Sequence, residues 1–294
     1  MTNNRLSILS NAQSSDMQLE PYPHLVIRNA LDEDIFTKLY HELPPAEIIL
    51  DGKAKKDTWY DFPACRVIGN EHITPIWQAF FRYHTSQDFF QELISLFGEH
   101  IRTLHPNLEQ SMNKALEQAT VKMRPGGRSN PLASGADAST ECQFYVNYTE
   151  KQRAIRGSHV DRPSELFAAL LYLRDPLDDS TGGDLNINRA INPQELYPSR
   201  SSIKVDTLPM ELNDKRIESV STAHYEANTL VLFLNSHKSI HAVSPRSATQ
   251  IPRRHINFCC DLNFDLFEVE HSRRQAIKQR LAVTPILWRF ADWL

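Results

Sequence analysis

The residues best suited to chemistry in this 294-residue chain are His159 and Asp161, in the segment GSHVDRP (157–163). In an extended or turn conformation, residues i and i+2 point to the same side, so an imidazole and a carboxylate would meet at one point. Such a pair supplies two ligands for a divalent metal ion. An H-x-D pair also arises by chance in a chain with 12 histidines. The alternative is therefore an exposed turn in which His159 is simply hydrogen-bonded.

His241 is the candidate for a third ligand, because it follows an apolar run (230–234) and a turn, and opens the short strand HAV. Two histidines and one carboxylate form a facial triad that binds Fe(II) and leaves positions open for substrate and dioxygen. Arg253 follows twelve residues later on a strand. It suits a dicarboxylate co-substrate, because a guanidinium binds a carboxylate through two parallel hydrogen bonds. His237 forms an H-x-x-x-H pair with His241, but the β-rich context argues against a helical zinc couple, and a rim position is expected.

The elements that must position these residues are mostly strands. Strand-like runs separated by turn clusters lie at 119–124, 142–149, 166–174, 183–189, 228–235 and 253–262. Many short strands without intervening helices favour an antiparallel sandwich or barrel. Residues 1–20 are predicted to form a flexible polar arm, and 21–294 a single domain. Within that domain, 21–118 is mostly helical support, 119–262 is the catalytic β core, and 263–294 is a C-terminal helical segment.

The order H-x-D, about 80 residues, H, and then R on the next strand resembles the Fe(II)/2-oxoglutarate-dependent dioxygenase superfamily. The similarity is greatest to its prolyl-4-hydroxylase-like branch. It covers about half of the chain and includes the segments HVDRP, LLYL, GGDLNI, FLNSHKSIHAVSP and RRHINF in the family's order. The fold that this resemblance implies is mainly β with flanking α. It is a double-stranded β-helix, also called a cupin-like jelly roll, buttressed by N-terminal and C-terminal helices.

The resemblance also implies roles for single residues. His159, Asp161 and His241 would hold Fe(II), and Arg253 would bind the distal carboxylate of 2-oxoglutarate. Tyr172 and Tyr148 match positions that support the co-substrate or line the site. Tyr145 and Asn147 compete with Tyr148, because strand parity decides which of them faces inward, and Arg254 competes with Arg253 for the same reason. No catalytic residue is predicted beyond the metal centre.

The function that the resemblance implies is an Fe(II)- and 2-oxoglutarate-dependent oxygenase that uses O2 and releases succinate and CO2. Because related halogenases have a small residue in place of the carboxylate ligand, Asp161 favours hydroxylation of a C–H bond. Three alternatives stay open: a cupin-type metal enzyme that does not use 2-oxoglutarate, a non-catalytic ligand-binding jelly roll, and an oxygenase that uses another oxo acid.

Composition limits the partners. The formal net charge is −4, so nucleic acid is not expected, and the apolar runs are too short for a membrane span. Four cysteines without a C-x-x-C pair and a polar N-terminus predict a cytoplasmic protein with reduced thiols. A small molecule, a peptide or a glycan is expected as substrate, and the oligomeric state stays open.

Overall fold

A computed structural model describes residues 5–53, 58–126, 132–152, 155–192, 210–212 and 214–267. The helices of the described residues are α1 (Glu33–His41), α2 (Ala46–Leu50), α3 (Ala64–Val67), α4 (Pro75–His84), α5 (Gln87–Leu104) and α6 (Leu108–Met112). The longest begins at a cap, where the Ser86 hydroxyl accepts a hydrogen bond from the backbone N–H of Phe89. It buries a stripe at helical spacing that includes Phe90, Leu93 and Phe97.

The strands begin with β1 (His24–Arg28) and β2 (Trp59–Pro63) among the helices. The others are β3 (Val121–Met123), β4 (Ala138–Thr149), β5 (Arg156–Val160), β6 (Glu165–Tyr172), β7 (Leu185–Ala190), β8 (Met210–Glu211), β9 (Ile217–Ala223), β10 (Thr229–Leu234), β11 (His241–Val243) and β12 (Thr249–Leu262).

These strands form two sheets in the described part of the chain. The order in the larger sheet is β1-β10-β6-β12-β4-β2, with β3 beside β4, and the order in the smaller sheet is β8-β5-β11-β7-β9. From β4 to β7 and again from β10 to β12, successive strands alternate between the two sheets. This alternation defines a double-stranded β-helix, so the predicted jelly-roll fold with flanking helices is confirmed.

The helices pack on the outer face of the larger sheet, where β4 provides apolar side chains at alternate positions. The ring of Phe144 lies 4.8 Å from Trp77 and 4.7 Å from Phe81, both on α4. Val146 belongs to the same hydrophobic cluster. The intervening residues of β4 face the other way, into the space between the sheets. The helices therefore cover the outer face of the larger sheet, and its inner face lines the space that holds the candidate site.

Residues 5–20 differ from the predicted flexible arm, since they pack against α4 and α5. Ile8 and Leu9 are buried in the main core. The backbone N–H of Ile8 donates to Nε2 of His84, and the Ser7 hydroxyl donates to the carboxylate of Glu92. The apolar residues of this segment pack into the core, although the composition of the segment as a whole is polar.

Two further features bear on the sequence predictions. β2 lies in a stretch expected to be loop-rich, and it forms an edge of the larger sheet by pairing with β4. Of the predicted C-terminal helical segment at 263–294, residues 263–267 are described and form bends instead of a helix, and 268–294 lie outside the described residues. Among those residues, no helix has the length and apolar character needed to span a membrane.

Candidate metal centre and its cavity

The smaller sheet brings the three predicted metal ligands together. His159 lies in β5, Asp161 follows its last residue, and His241 opens β11. The two strands are antiparallel neighbours, and His159 is paired directly with His241. The local i, i+2 pair and the distant histidine thus meet because of one strand pairing.

The side chains converge on a common point. One ligand atom from each of His159, Asp161 and His241 lies within 4.8 Å of the other two. The carboxylate of Asp161 is 3.8 Å from Nε2 of His159 and 3.5 Å from Nε2 of His241. All three residues are buried. In the described part of the chain, no other group of three or more such residues could hold a metal ion.

Backbone carbonyls orient both imidazoles. Nδ1 of His159 donates to the carbonyl of Gly157 at 2.9 Å, and Nδ1 of His241 donates to the carbonyl of Ser239 at 2.9 Å. Each ring therefore directs its Nε2, and not its Nδ1, toward the common centre, as metal-binding histidines do. Burial, followed by the proximity of His241, lowers the pKa of His159 well below its usual range. The neutral imidazole is the form that binds a metal.

Arg253 lies on the inner face of β12 and is 1% exposed. Its Nε donates to the carbonyl of Gly183 at 2.8 Å, and its Nη1 donates to Nδ1 of His255 at 3.0 Å. Its guanidinium carbon lies 5.0 Å from the ring centroids of both Tyr172 and Tyr225. Nη2 is buried and has no hydrogen-bond partner among the described residues.

Arg254 points to the opposite face of the same strand. Its Nη1 donates to the carboxylate of Asp175 at 3.2 Å, and its backbone N–H donates to the hydroxyl of Tyr225. Arg253 is a cavity residue, whereas Arg254 is not in the cavity lining. Parity alone left open which of the two arginines faces the site. The structure places Arg253, and not Arg254, in the cavity wall.

Tyr172 lies beside Arg253 on the neighbouring strand β6, and it is fully buried. Its hydroxyl forms no hydrogen bond of standard geometry with the described residues, although the Arg253 guanidinium is close enough to offset part of the effect of burial on its pKa. Burial raises the pKa of Tyr172, so its phenol remains protonated and can donate a hydrogen bond. Tyr172 packs against the Arg253 guanidinium but, unlike Arg253, is not among the residues that line the cavity.

Tyr148 is not in the cavity, which corrects the expectation that it lines the site. It packs edge-on against Tyr60 at 6.2 Å and belongs to the hydrophobic core on the outer side of the larger sheet. Its competitors Tyr145 and Asn147 line the cavity instead. The reason is strand parity, since side chains at odd and even positions of β4 face opposite sides.

The cavity between the sheets has a volume of about 470 Å³. Its wall holds the three candidate ligands and Arg253, together with apolar side chains that include Phe233, Ala168 and Leu170. The other residues of the lining are Trp59, Asp61, Tyr145, Asn147, Ile155, Arg156, Arg162, Leu185, Val243, His255 and Asn257.

Trp59, Asp61 and Asn257 are among the lining residues that the sequence analysis did not identify as site residues. Trp59 and Asp61 lie on β2, which no sequence pattern indicated, and Asn257 lies four positions after Arg253 on β12. The i, i+4 parity on a strand was the available signal for Asn257. His255, which has the same strand parity as Arg253, also lines the cavity. His237 is not part of the metal cluster, and its ring lies 6.4 Å from that of Phe267.

No protein-family model matches the chain, and no curated protein is similar to it in sequence. Solved structures do show similarity. A structure from a study of prolyl 4-hydroxylases from Phytophthora capsici is 14% identical, with 90% of this chain and 67% of that chain covered and a TM-score of 0.48. A prolyl-4-hydroxylase from Pseudomonas putida is 14% identical over 85% of this chain and 98% of that chain, with a TM-score of 0.40.

An oxidoreductase of the 2OG-Fe(II) oxygenase family from Burkholderia pseudomallei is 16% identical over 42% of this chain and 43% of that chain, with a TM-score of 0.25. At such identities and scores, the activity of this chain has to be judged from its own site.

Proposed function

We propose that the protein is an Fe(II)- and 2-oxoglutarate-dependent oxygenase that hydroxylates a C–H bond of its substrate. The observation that carries the proposal is the pairing of two features in one cavity. One is the buried cluster of His159, Asp161 and His241, and the other is the buried, partly unsatisfied guanidinium of Arg253. A metal site alone would fit many enzymes, whereas an arginine anchor in the same cavity fits a dicarboxylate co-substrate.

The donor set supports Fe(II). Two neutral imidazoles and one carboxylate suit a divalent metal of intermediate softness, and a single negative ligand leaves the centre cationic. Nε2 of His159, Nε2 of His241 and the carboxylate of Asp161 would hold the ion. The bonds from each Nδ1 to a backbone carbonyl fix the rings in the orientation that this needs.

The unsatisfied donors support 2-oxoglutarate. Nη2 of Arg253 and the hydroxyl of Tyr172 are buried without partners among the described residues. Leaving such groups unpaired costs about 1–3 kcal/mol each, so a ligand that accepts from both would bind favourably. A carboxylate is such an acceptor, and Asn147, which lines the same cavity, has a further unpartnered Nδ2 donor.

The chemistry supplied at this centre when metal and co-substrate are bound is oxidative decarboxylation of 2-oxoglutarate to succinate and CO2, coupled to oxidation of a substrate C–H bond by O2. The residues of the chain bind, orient and exclude water. Arg253 and Tyr172 would hold the distal carboxylate and so fix the distance of the oxo acid from the triad. Phe233, Ala168 and Leu170 provide a dry wall.

The substrate proposed is a small molecule, or a single residue of a peptide or glycan, since a cavity of about 470 Å³ has to admit it beside the co-substrate. The cupin-type alternative and the binding-module alternative do not require Arg253 to be buried with a free donor. We therefore rank both below the oxygenase.

The test is turnover of 2-oxoglutarate in air with Fe(II) and ascorbate, measured as succinate by mass spectrometry. Pools of small metabolites, peptides and glycans are added in turn. Wild type is expected to form succinate at least tenfold faster than His241→Ala, and one pool should increase the rate further. Equal rates in wild type and His241→Ala with every pool would overturn the proposal.

A further inference from the structure

Arg253 is held on two sides by the protein. Nε donates to the carbonyl of Gly183, and Nη1 donates to Nδ1 of His255, two residues along the same strand. These contacts leave Nη2 as the atom without a partner among the described residues. The orientation of the guanidinium, and hence the direction of its free donor, depends on the acceptor that His255 provides.

That contact sets the state of the imidazole. A guanidinium has donors and no acceptor, so Nδ1 of His255 must carry a lone pair and the proton must lie on Nε2. Burial, together with the charge of Arg253, lowers the pKa of His255 well below its usual range. A protonated ring would have no acceptor to offer and would repel the neighbouring cation.

Aromatic rings hold His255 in turn. The ring of Tyr145 on β4 stacks on it, with centroids 5.1 Å apart and planes 26° from parallel. The ring of Trp59 on the edge strand β2 stacks on Tyr145 at 5.5 Å and 20°. Tyr172 meets the imidazole edge-on at 6.3 Å. This stack of Trp59, Tyr145 and His255 runs across three neighbouring strands, from a half-exposed tryptophan to the buried anchor.

We propose that His255 is a positioning residue, which accepts a hydrogen bond from Arg253 and keeps Nη2 turned toward the co-substrate carboxylate, while the stack of Tyr145 and Trp59 holds its ring. The inference rests on the proposed function, because the carboxylate in question is that of 2-oxoglutarate. It goes beyond that function in giving the anchor a second residue on which its orientation depends.

Two substitutions separate the acceptor from the ring. His255→Phe keeps an aromatic ring for the stack and removes the acceptor. His255→Asn places a carboxamide oxygen near the position of Nδ1 and removes the ring. We expect His255→Phe to bind 2-oxoglutarate about tenfold more weakly than wild type. His255→Asn should recover most of that affinity.

The affinities are measured by anaerobic titration of the Fe(II) protein with 2-oxoglutarate, through the visible absorption of the chelated oxo acid. Thermal unfolding shows that each variant is folded. Wild-type affinity in His255→Phe, or an equal loss of affinity in both variants, would overturn the inference. Absence of any 2-oxoglutarate binding in wild type would instead refute the proposed function.

A second measurement needs neither metal nor co-substrate. In metal-free protein labelled with ¹⁵N at histidine, the His255 signals are identified by their loss in His255→Asn. We expect an unprotonated Nδ1 and a protonated Nε2 at neutral pH, and a shift of the Nδ1 signal in Arg253→Met. The opposite tautomer, or an Nδ1 chemical shift that is unchanged in Arg253→Met, would show that the contact between His255 and Arg253 does not exist.

Discussion

Arg253 lines the cavity, whereas Tyr172 packs against the Arg253 guanidinium and lies outside the cavity lining. Nη2 of Arg253 and the hydroxyl of Tyr172 are both buried without a hydrogen-bond partner among the described residues. Tyr225 lies as close to Arg253 as Tyr172 does, but its hydroxyl accepts a hydrogen bond from the backbone of Arg254. The two tyrosines thus differ in their bonding, since the Tyr225 hydroxyl holds the backbone of β12 and the Tyr172 hydroxyl is the one that the proposed function assigns to a ligand.

Removal of the two hydroxyl groups should separate these tasks. Tyr172→Phe is expected to weaken 2-oxoglutarate binding about tenfold and to leave the free energy of unfolding within about 0.5 kcal/mol of wild type, because the hydroxyl forms no hydrogen bond of standard geometry with the described residues. Tyr225→Phe should lower the free energy of unfolding by about 1 kcal/mol or more, because a backbone N–H loses its acceptor.

Both quantities can be measured on the same preparations, by anaerobic titration with 2-oxoglutarate and by urea unfolding. A destabilised Tyr172→Phe with unchanged co-substrate affinity would mean that this hydroxyl belongs to the fold.

Single elements explain what could be predicted from the sequence. The convergence of His159 and Asp161 could be predicted because an i, i+2 pair depends only on local pattern. His241 was a candidate from its place at the start of a strand, but its meeting with the other two depends on the long-range pairing of β11 with β5, and only the family resemblance implied it. Tyr148 was misassigned because an error of one residue in parity moves a side chain to the other face of β4. Trp59 and Asp61 were missed because β2 is an edge strand formed by pairing with a distant partner, which no local pattern encodes.

The contact between the N-terminal segment and α4 depends on the protonation state of one buried histidine, His84. Nδ1 of His84 donates to the carbonyl of Phe80, and Nε2 accepts from the N–H of Ile8, so the ring has to be neutral. Burial lowers the pKa of His84 to about 3, from an ordinary value of 6.5. The stabilisation from the neutral ring is complete above pH 6.5 and is lost as the pH falls toward 3, because the unfolded chain takes up the proton first.

We predict an acid-dependent loss of stability from this group of about 1.4 kcal/mol per pH unit between pH 6 and pH 4. His84→Gln, whose carboxamide oxygen can still accept from Ile8, should reduce that slope. His72→Gln is the control, since the His72 side chain is 71% exposed. Urea unfolding at several pH values measures the slopes, and equal slopes in the two variants would contradict the assignment.

In the molecule as a whole, the two faces of the larger sheet have different roles, one in stability and one in enclosing the cavity. Helices α4 and α5 and the N-terminal segment cover its outer face with a hydrophobic core, and its inner face encloses the cavity with the smaller sheet. The candidate ligands lie on the smaller sheet, and Arg253 and Tyr172 lie on the larger one. Metal and co-substrate carboxylate would thus be bound by different sheets, and the rigid jelly roll would fix the distance between them.

The most direct test of this account is an anaerobic titration of the Fe(II) protein with 2-oxoglutarate, followed by the visible absorption band of a chelated oxo acid. Wild type should show a band that saturates, His241→Ala should show none, and Arg253→Met should need at least tenfold more 2-oxoglutarate. Arg254→Met is the matched control, because that neighbour faces away from the cavity, and it should behave as wild type. A folded, iron-loaded wild type without a band, or a greater loss of affinity in Arg254→Met than in Arg253→Met, would contradict the account.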